Sequence, residues 1–253
     1  MERDIDQAVK AIVNAGYVIA LTGAGISTES GIPDFRSAGG LWAKYNPAEY
    51  ATIEAFRSDP EKVWRMLFDM VDITVSARYN AGHAALAELE KMDILRCVIT
   101  QNIDNLHQEA GSENVIEYHG NVSRLECLYC GQDYDKNEFD AVTLIQNRIP
   151  PICKKCGEIL KPAVILFGEL IPEEATVRSL EAARKADAVL VIGTSAVVYP
   201  AANIPLVAKQ NRAVIIEFNT ETTALTNFAT DIFIQGMAGQ TLPEMVRRLK
   251  AAR

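Results

Sequence analysis

Short apolar runs that each end on a polar cluster recur along this chain, and they leave few folds open to it. Residues 17–22, 94–100, 115–118, 163–167, 188–192, 213–218 and 231–234 read as strands. Helical patterns lie among them. Ile5, Ala8, Val9, Ile12 and Val13 recur at helical spacing, with Gly16 as a stop. Further helices are expected over 84–92, from Leu106, from Pro172 to about 186, over 201–210 and over 242–249. Strands alternating with helices predict an α/β, Rossmann-like parallel sheet covered on both faces. Ligands of such sheets bind at the carboxyl ends of the strands. The polar clusters at 23–25, 101–104, 119–120, 168–169, 193–195 and 217–219 all fall at those ends and converge on one crevice.

The first of these ends is unusual. Gly23-Ala24-Gly25 breaks the run at once, and neither glycine has a Cβ to keep a phosphate from the backbone. The rest of the ordinary dinucleotide fingerprint is missing: Thr28 stands at the third glycine position, and no acid ends a second strand about 20 residues on. Gly31-Ile32-Pro33-Asp34-Phe35-Arg36 follows instead, a punctuated loop carrying an acid, an aromatic and a cation. Residues 37–80 are rich in aromatics and show no clear strand, which suggests a helical insertion. In it, Ser58-Asp59-Pro60-Glu61 reads as a helix start, with Val63, Leu67, Met70 and Val71 as the buried stripe.

Four of the five cysteines form two C-x-x-C pairs, Cys127/Cys130 and Cys153/Cys156, separated by 22 residues. Gly131 and Gly157 follow the second cysteine of each pair and permit the knuckle turn. Four thiolates with no histidine describe a closed, structural zinc site; a redox disulfide pair and an iron–sulfur cluster are the rivals. Residues 132–148 are polar and poorly periodic, so this stretch needs the metal to hold a fold. Cys97 sits inside an apolar strand and reads as a small buried hydrophobe.

The net charge of −8 argues against nucleic acid as a direct ligand and suits a cationic partner such as a Lys-rich peptide. No apolar run reaches membrane-spanning length, and the charged start does not read as a secretory signal, so a cytoplasmic, membrane-free protein is expected. Of the three histidines, His83 reads as structural. His107 could orient the 101–104 loop or lie on a helix surface. His119 ends a strand before a glycine and is the candidate general base. Asn102 and Asp104 share a loop tip, where turn-forming is the rival reading. Glu217 and Asn219 suit ribose hydroxyls. No Ser-His-Asp or Cys-His arrangement is legible, so the protein is not expected to supply a covalent nucleophile.

TGAGIS (22–27), GIPDFR (31–36), TQNID (100–104), YHG (118–120), the two C-x-x-C pairs, FGE (167–169), GTS (193–195) and VYPA (198–201) together resemble a sirtuin, an NAD-dependent protein-lysine deacylase, over nearly the whole chain. The resemblance implies a Rossmann-like NAD-binding domain from 1–30, 81–122 and 161–253, a cofactor loop and helical module at 31–80, and a zinc-ribbon module at 123–160. It implies NAD as co-substrate, one structural zinc ion and an acetyl-lysine protein or peptide as substrate, DNA-associated proteins among them; a monomer is expected. Ala24, Gly25 and Arg36 would meet the phosphates, with Gly23, Ser27, Asp34, Gln101, Gly193, Thr194 and Glu221 also in the cofactor site. Ser195 and Asn219 would bind the adenosine end. Asn102 would hold the nicotinamide ribose and share the catalytic role with His119, the base on a ribose hydroxyl. Ile103 and Asp104 would hold the carboxamide, and Phe35 would cover the reactive carbon. Val164, Phe167, Gly168, Glu169 and His119 on one side, and Val197, Val198 and Tyr199 on the other, would bind the peptide as an added strand. Sirtuins that remove anionic acyl groups carry a Tyr and an Arg three residues apart in the helical module. Residues 66–72 carry no such pair, which implies neutral acyl groups, acetyl first. Mono-ADP-ribosyl transfer and a non-catalytic NAD-binding module are the competing functions.

Overall fold

The computed structural model describes residues 2–252. Its strands are β1 (Val18–Thr22), β2 (Leu95–Thr100), β3 (Val115–Glu117), β4 (Gly120–Glu126), β5 (Asp133–Asp135), β6 (Lys161–Val164), β7 (Ala188–Ile192), β8 (Val214–Asn219) and β9 (Ile232–Gln235). The chain divides into two compact units. Met1–Pro33, Arg78–Tyr118 and Pro172–Arg253 form the first; Asp34–Ala77 and His119–Ile171 form the second.

The first unit is built on a six-stranded sheet in the order β3-β2-β1-β7-β8-β9, with every pairing parallel. Both faces are covered, which is why β1 and β7 are buried at every residue and read as unbroken apolar runs. On one face Ala20, Val98, Leu190 and Ile216 pack with Ile5, Val9 and Ile12 of the first helix, Leu86 and Leu89 of the helix Ala81–Lys91, and Leu242, Met245 and Leu249 of the last helix. That last helix, Ala238–Ala251, starts earlier than its apolar stripe suggests and contains Pro243. Chain connections run to opposite sides of β1, through β2 in one direction and β7 in the other. The end of β1 is therefore the topological switch point, where such sheets bind ligands.

The second unit holds the three-stranded antiparallel sheet β5-β4-β6 and a run of short helices. The aromatic-rich insertion is built from helices: Leu41–Lys44, Pro47–Tyr50, Ile53–Ser58 and Pro60–Thr74. Asp59 caps the last of these, its side chain accepting from Lys62 N, with Pro60 in the first turn. Its buried face is Val63, Trp64, Met66, Leu67 and Phe68, while Met70 and Val71 are only half-buried. The Trp64 indole donates to Leu160 O at 2.8 Å, and its ring lies 5.2 Å from that of Phe68, so the aromatic side of the helix faces inward. The strand expected over 163–167 is found at 161–164, paired antiparallel with β4 and not in the parallel sheet. The stretch between the cysteine pairs is more ordered than its composition suggests, with β5 and a helix, Ala141–Asn147, capped by Asp140.

Candidate functional site

In the first unit, the turn after β1 is folded onto the turn after β7. Gly23 N donates to Ile192 O at 3.0 Å, and Gly25 N donates to Gly193 O at 2.8 Å. A Cβ on Gly25 would lie 2.7 Å from Gly193 Cα, and one on Gly193 would lie 2.4 Å from Ile26 N. The glycines thus have a reason to be there before any phosphate arrives: two backbones touch. Gln101 Nε2 donates to Thr194 Oγ1 at 3.1 Å, and Asn219 Nδ2 donates to Thr194 O at 3.1 Å. Gly193, Thr194, Gln101 and Asn219 are thereby brought to one sheet edge with Gly23, Ala24 and Gly25. Ser195 follows on the same turn, half-buried, and Glu221 lies exposed just past β8. Val197 and Tyr199 are exposed beyond it.

A buried hydroxyl organises the neighbouring loop. Ser27 Oγ donates to Asp104 Oδ2 at 2.7 Å and accepts from Asn102 Nδ2 at 3.1 Å. His83 Nε2 lies 3.4 Å from the same oxygen. The backbone N–H of Asn80 donates to His83 Nδ1 at 3.3 Å, so Nδ1 is an acceptor and the neutral ring carries its proton on Nε2, facing Ser27. One hydrogen leaves Ser27 Oγ and two arrive, which fixes the direction of every bond in the cluster. Asn102 also donates to Gly23 O at 3.3 Å, and Asp104 Oδ1 accepts from Leu106 N at 3.0 Å. Asn102, Asp104 and Ser27 are therefore placed together, with Ile103 between the first two.

A second chain runs beneath. Thr22 Oγ1 donates to Thr100 Oγ1 at 2.9 Å, and Asn102 N donates to Thr100 Oγ1 at 3.1 Å. His107 Nε2 lies 2.9 Å from Thr22 Oγ1. Because the threonine proton is already committed, Nε2–H donates. His107 is 1 % exposed, so it is no surface residue; it is the far support of the Asn102 loop. Its Nδ1 is buried without a partner.

Burial lowers the His83 pKa to about 4, against a raising influence from Asp104, and lowers that of His107 to about 3, with His83 adding to the shift. Both rings are neutral in the folded protein near neutral pH, whereas in the unfolded chain they titrate near the ordinary 6.5. Below that value the unfolded state binds protons the folded state refuses. Stability contributed by the neutral rings is full above pH 6.5 and falls as pH drops toward 4. Each ring steepens the fall by up to about 1.4 kcal/mol per pH unit. Urea midpoints measured from pH 7.5 to 5 should decline, and His107→Gln should flatten that slope.

Glu217 does not face a ribose. It is 1 % exposed, and its carboxylate accepts from the hydroxyls of Thr223, Thr226 and Thr230 at 2.6, 2.8 and 2.7 Å. It anchors the segment after β8 from inside.

In the second unit, His119 stands directly before β4 and is half-buried. Its carbonyl accepts from Ile165 N at 2.9 Å. Gly120 pairs with Val164 at φ 74°, and a Cβ there would lie 2.1 Å from Ala163 O. Only glycine lets the chain turn there. Phe167 N donates to Ala51 O at 2.8 Å and Ile53 N donates to Phe167 O at 3.0 Å, so Phe167 is bound to the helical module, with Gly168 and Glu169 next to it in the chain. The loop with Asp34, Phe35 and Arg36 is folded on itself. Asp34 Oδ1 accepts from the backbone of Arg36 and Ser37 at 2.9 and 2.7 Å, and the Phe35 and Trp42 rings stack with centroids 5.1 Å apart. Gly40 packs against this turn, since a Cβ on it would lie 2.7 Å from Asp34 O; of the loop glycines, Gly31 and Gly39 have open space around them.

The four sulfurs of Cys127, Cys130, Cys153 and Cys156 lie within 4.8 Å of one another. Cys127 Sγ is 3.5 Å from Cys156 Sγ and Cys130 Sγ is 3.6 Å from Cys153 Sγ. Sulfurs at the corners of a tetrahedron around zinc are about 3.8 Å apart, given Zn–S bonds of about 2.3 Å. Each knuckle closes in the same way: Gly131 N donates to Cys127 O and Gly157 N to Cys153 O, both at 2.9 Å, with the glycines at φ 67° and 83°. The geometry fits one structural zinc held by four thiolates, with no open position.

Residues 23–200 match the model of the Sir2 family. The chain belongs to the Sir2 family. An NAD-dependent protein deacylase of Pyrococcus furiosus is 46 % identical over 97 % of this chain and 98 % of its own length. An NAD-dependent protein deacetylase of Sulfurisphaera tokodaii is 45 % identical over 98 % of this chain and 97 % of its own. Among solved structures, a Sir2 enzyme superposes with a TM-score of 0.94 at 44 % identity, covering 100 % of both chains. A Sir2 homologue in complex with NAD gives 0.89 at 42 % identity over 98 % of this chain and 94 % of that one. A Sir2 protein bound to a myristoylated histone peptide gives 0.85 at 38 % identity over 100 % of this chain and 99 % of that one. This Sir2 chain carries a six-stranded parallel sheet and a four-cysteine cluster suited to one zinc ion.

Proposed function

We propose that this Sir2 chain is an NAD-dependent protein-lysine deacetylase. It would transfer the acetyl group of acetyl-lysine to ADP-ribose, release nicotinamide, and leave deacetylated protein and O-acetyl-ADP-ribose. The observation that carries the reading is the near-complete match, in both directions, to relatives named for NAD-dependent deacylation. The NAD complex of a neighbour supports NAD as co-substrate here.

The local chemistry supports it. The acetyl oxygen would bond to the ribose carbon as the bond to nicotinamide breaks, so the protein need supply no nucleophile. It must place amides and hydroxyls on the nicotinamide half, exclude water and hold a base. Asn102, with Ser27 and Asp104 fixing its amide, would hold the ribose, and Asp104 and Ile103 the carboxamide. Gly23, Ala24, Gly25 and Arg36 would meet the phosphates, and Thr194, Ser195, Asn219 and Glu221 the adenosine end. His119 would take a proton from a ribose hydroxyl. Phe35, backed by Trp42, would cover the reactive carbon. Val164 and Phe167–Glu169, with Val197–Tyr199, would take the peptide as a strand. Zinc holds the second unit and takes no part in the chemistry.

A neutral acyl group is favoured. Residues 66–72 of the helix Pro60–Thr74 carry no cation and no Tyr/Arg pair; their two acids, Asp69 and Asp72, bind Arg148 at 2.8 and 2.6 Å. The peptide-bound neighbours support a Lys-bearing protein substrate. No helix among the described residues is long and apolar enough to cross a membrane, and a thiolate site suits a reducing cytoplasm. Mass spectrometry of the products tests the reading: O-acetyl-ADP-ribose should form in equal amount to nicotinamide. ADP-ribose attached to protein in its place would establish ADP-ribosyl transfer and overturn it.

A further inference from the structure

A lysine is the last residue expected in the dry interior of a protein, and one buried without partners is strongly destabilising. Lys161 of β6 has a side chain that is 0 % exposed. Its Nζ lies 2.6 Å from Glu126 Oε1 and 3.2 Å from Glu169 Oε2, and it donates to the carbonyls of Val164 at 2.7 Å and Pro162 at 3.1 Å. Three N–H groups meet four acceptors, so the ammonium is fully used.

Two of those acceptors belong to the segment 164–169. The Glu169 oxygen that meets the ammonium also accepts from Leu166 N at 2.7 Å, and Glu169 N returns a bond to Leu166 O at 3.0 Å. Val164, whose carbonyl the lysine holds, pairs with Gly120, and the next residue, Ile165, donates to His119 O. At its far end the segment is bonded to Ala51 and Ile53 through Phe167. Lys161 thus joins both ends of this turn to β4, through Glu126.

We propose that Lys161 is a positioning residue for the substrate peptide: its buried ammonium fixes the Val164 carbonyl and the Glu169 carboxylate, and so holds the edge along which the peptide pairs in its binding-competent form. This rests on the reading of 164–169 as the peptide-binding edge. An edge that is already ordered spares the peptide the entropy of ordering it, which is where affinity through backbone pairing is won or lost. Without the ammonium, two carboxylates and two carbonyls would face one another with no cation between them, and the segment would open toward water.

The test compares wild type, Lys161→Met and Lys161→Arg. In the methionine variant KM for an acetyl-lysine peptide should rise about 10-fold with kcat and the NAD KM within about 2-fold, as loss of a ground-state peptide contact predicts. Amide exchange at 164–169 should quicken while zinc content and exchange at 127–156 stay as in wild type. Arginine, which keeps the charge, should restore most of the peptide affinity. Unchanged peptide KM and unchanged exchange at 164–169 would overturn the proposal. So would a joint fall in zinc content, NAD affinity and peptide affinity, which would make the lysine a general support of the ribbon. If the methionine variant does not fold, Glu169→Gln decides: its peptide KM and exchange at 164–168 should rise, and no change in either overturns the proposal. If wild type itself releases no nicotinamide with peptide, the deacetylase reading fails, and with it the peptide role of Lys161; the exchange data then separate that failure from a failure of the lysine to order the segment.

Discussion

His119→Ala is expected to lower formation of deacetylated peptide by about 10²- to 10⁴-fold, the range for losing a positioned general base, with NAD still bound. Backbone geometry is the reason for so sharp an effect. The His119 carbonyl is tied to Ile165 N, and the next residue is a glycine whose φ of 74° and contact with Ala163 O admit no side chain. The imidazole therefore leaves the chain from a rigid point. Alanine removes the proton acceptor while disturbing none of those backbone bonds. Steady-state assays with an acetyl-lysine peptide check it, and NAD affinity by calorimetry shows that the site survives. A variant that keeps a tenth or more of the rate would remove His119 from the base role.

Loss of zinc should have the other large effect, on folding. Cys153→Ser, or prolonged chelation, is expected to unfold the second unit, Asp34–Ala77 with His119–Ile171, and with it all deacetylation. Structural zinc contributes roughly 10–16 kcal/mol in small zinc domains, as much as the whole net stability of an ordinary domain. The sulfurs converge from two knuckles on a sheet of three short strands; Cys127 and Cys153 are buried, and the Tyr134 hydroxyl lies 3.3 Å from Cys153 Sγ. Every residue of the main apolar core belongs to the first unit. Chelation should therefore expose amides of 119–171 to exchange while those of β1, β7 and β8 stay protected. Uniform protection after complete zinc removal would contradict this.

Much of this was legible in the sequence, because the features involved are local. The parallel strands announce themselves as unbroken apolar runs, and both C-x-x-C knuckles carry their glycines. Asp59 caps its helix where Asp-Pro says it should. What stayed hidden depends on neighbours distant in the chain. Residues 163–167 read as one more buried strand of the parallel sheet, yet β6 pairs antiparallel with β4, where Gly120 without a Cβ lets the two backbones meet. Glu217 looked like a ribose ligand at a strand end; three threonines further on claim its carboxylate. His107 showed no apolar signature of burial, and only Thr22, 85 residues away, explains it. Nothing in the sequence marks Lys161 for burial, because its partner Glu126 lies on another strand, beyond the cysteine pairs. Glycines 23 and 25 were assigned to a phosphate, and the structure adds a contact with Gly193 that needs them regardless of ligand.

The most direct measurement is nicotinamide release from NAD by the zinc-loaded protein with an acetyl-lysine peptide, with the same peptide unacetylated, and with none. The account predicts release with the acetylated peptide only, because the acetyl oxygen is the nucleophile that the protein itself lacks. Release at the same rate in all three would contradict it.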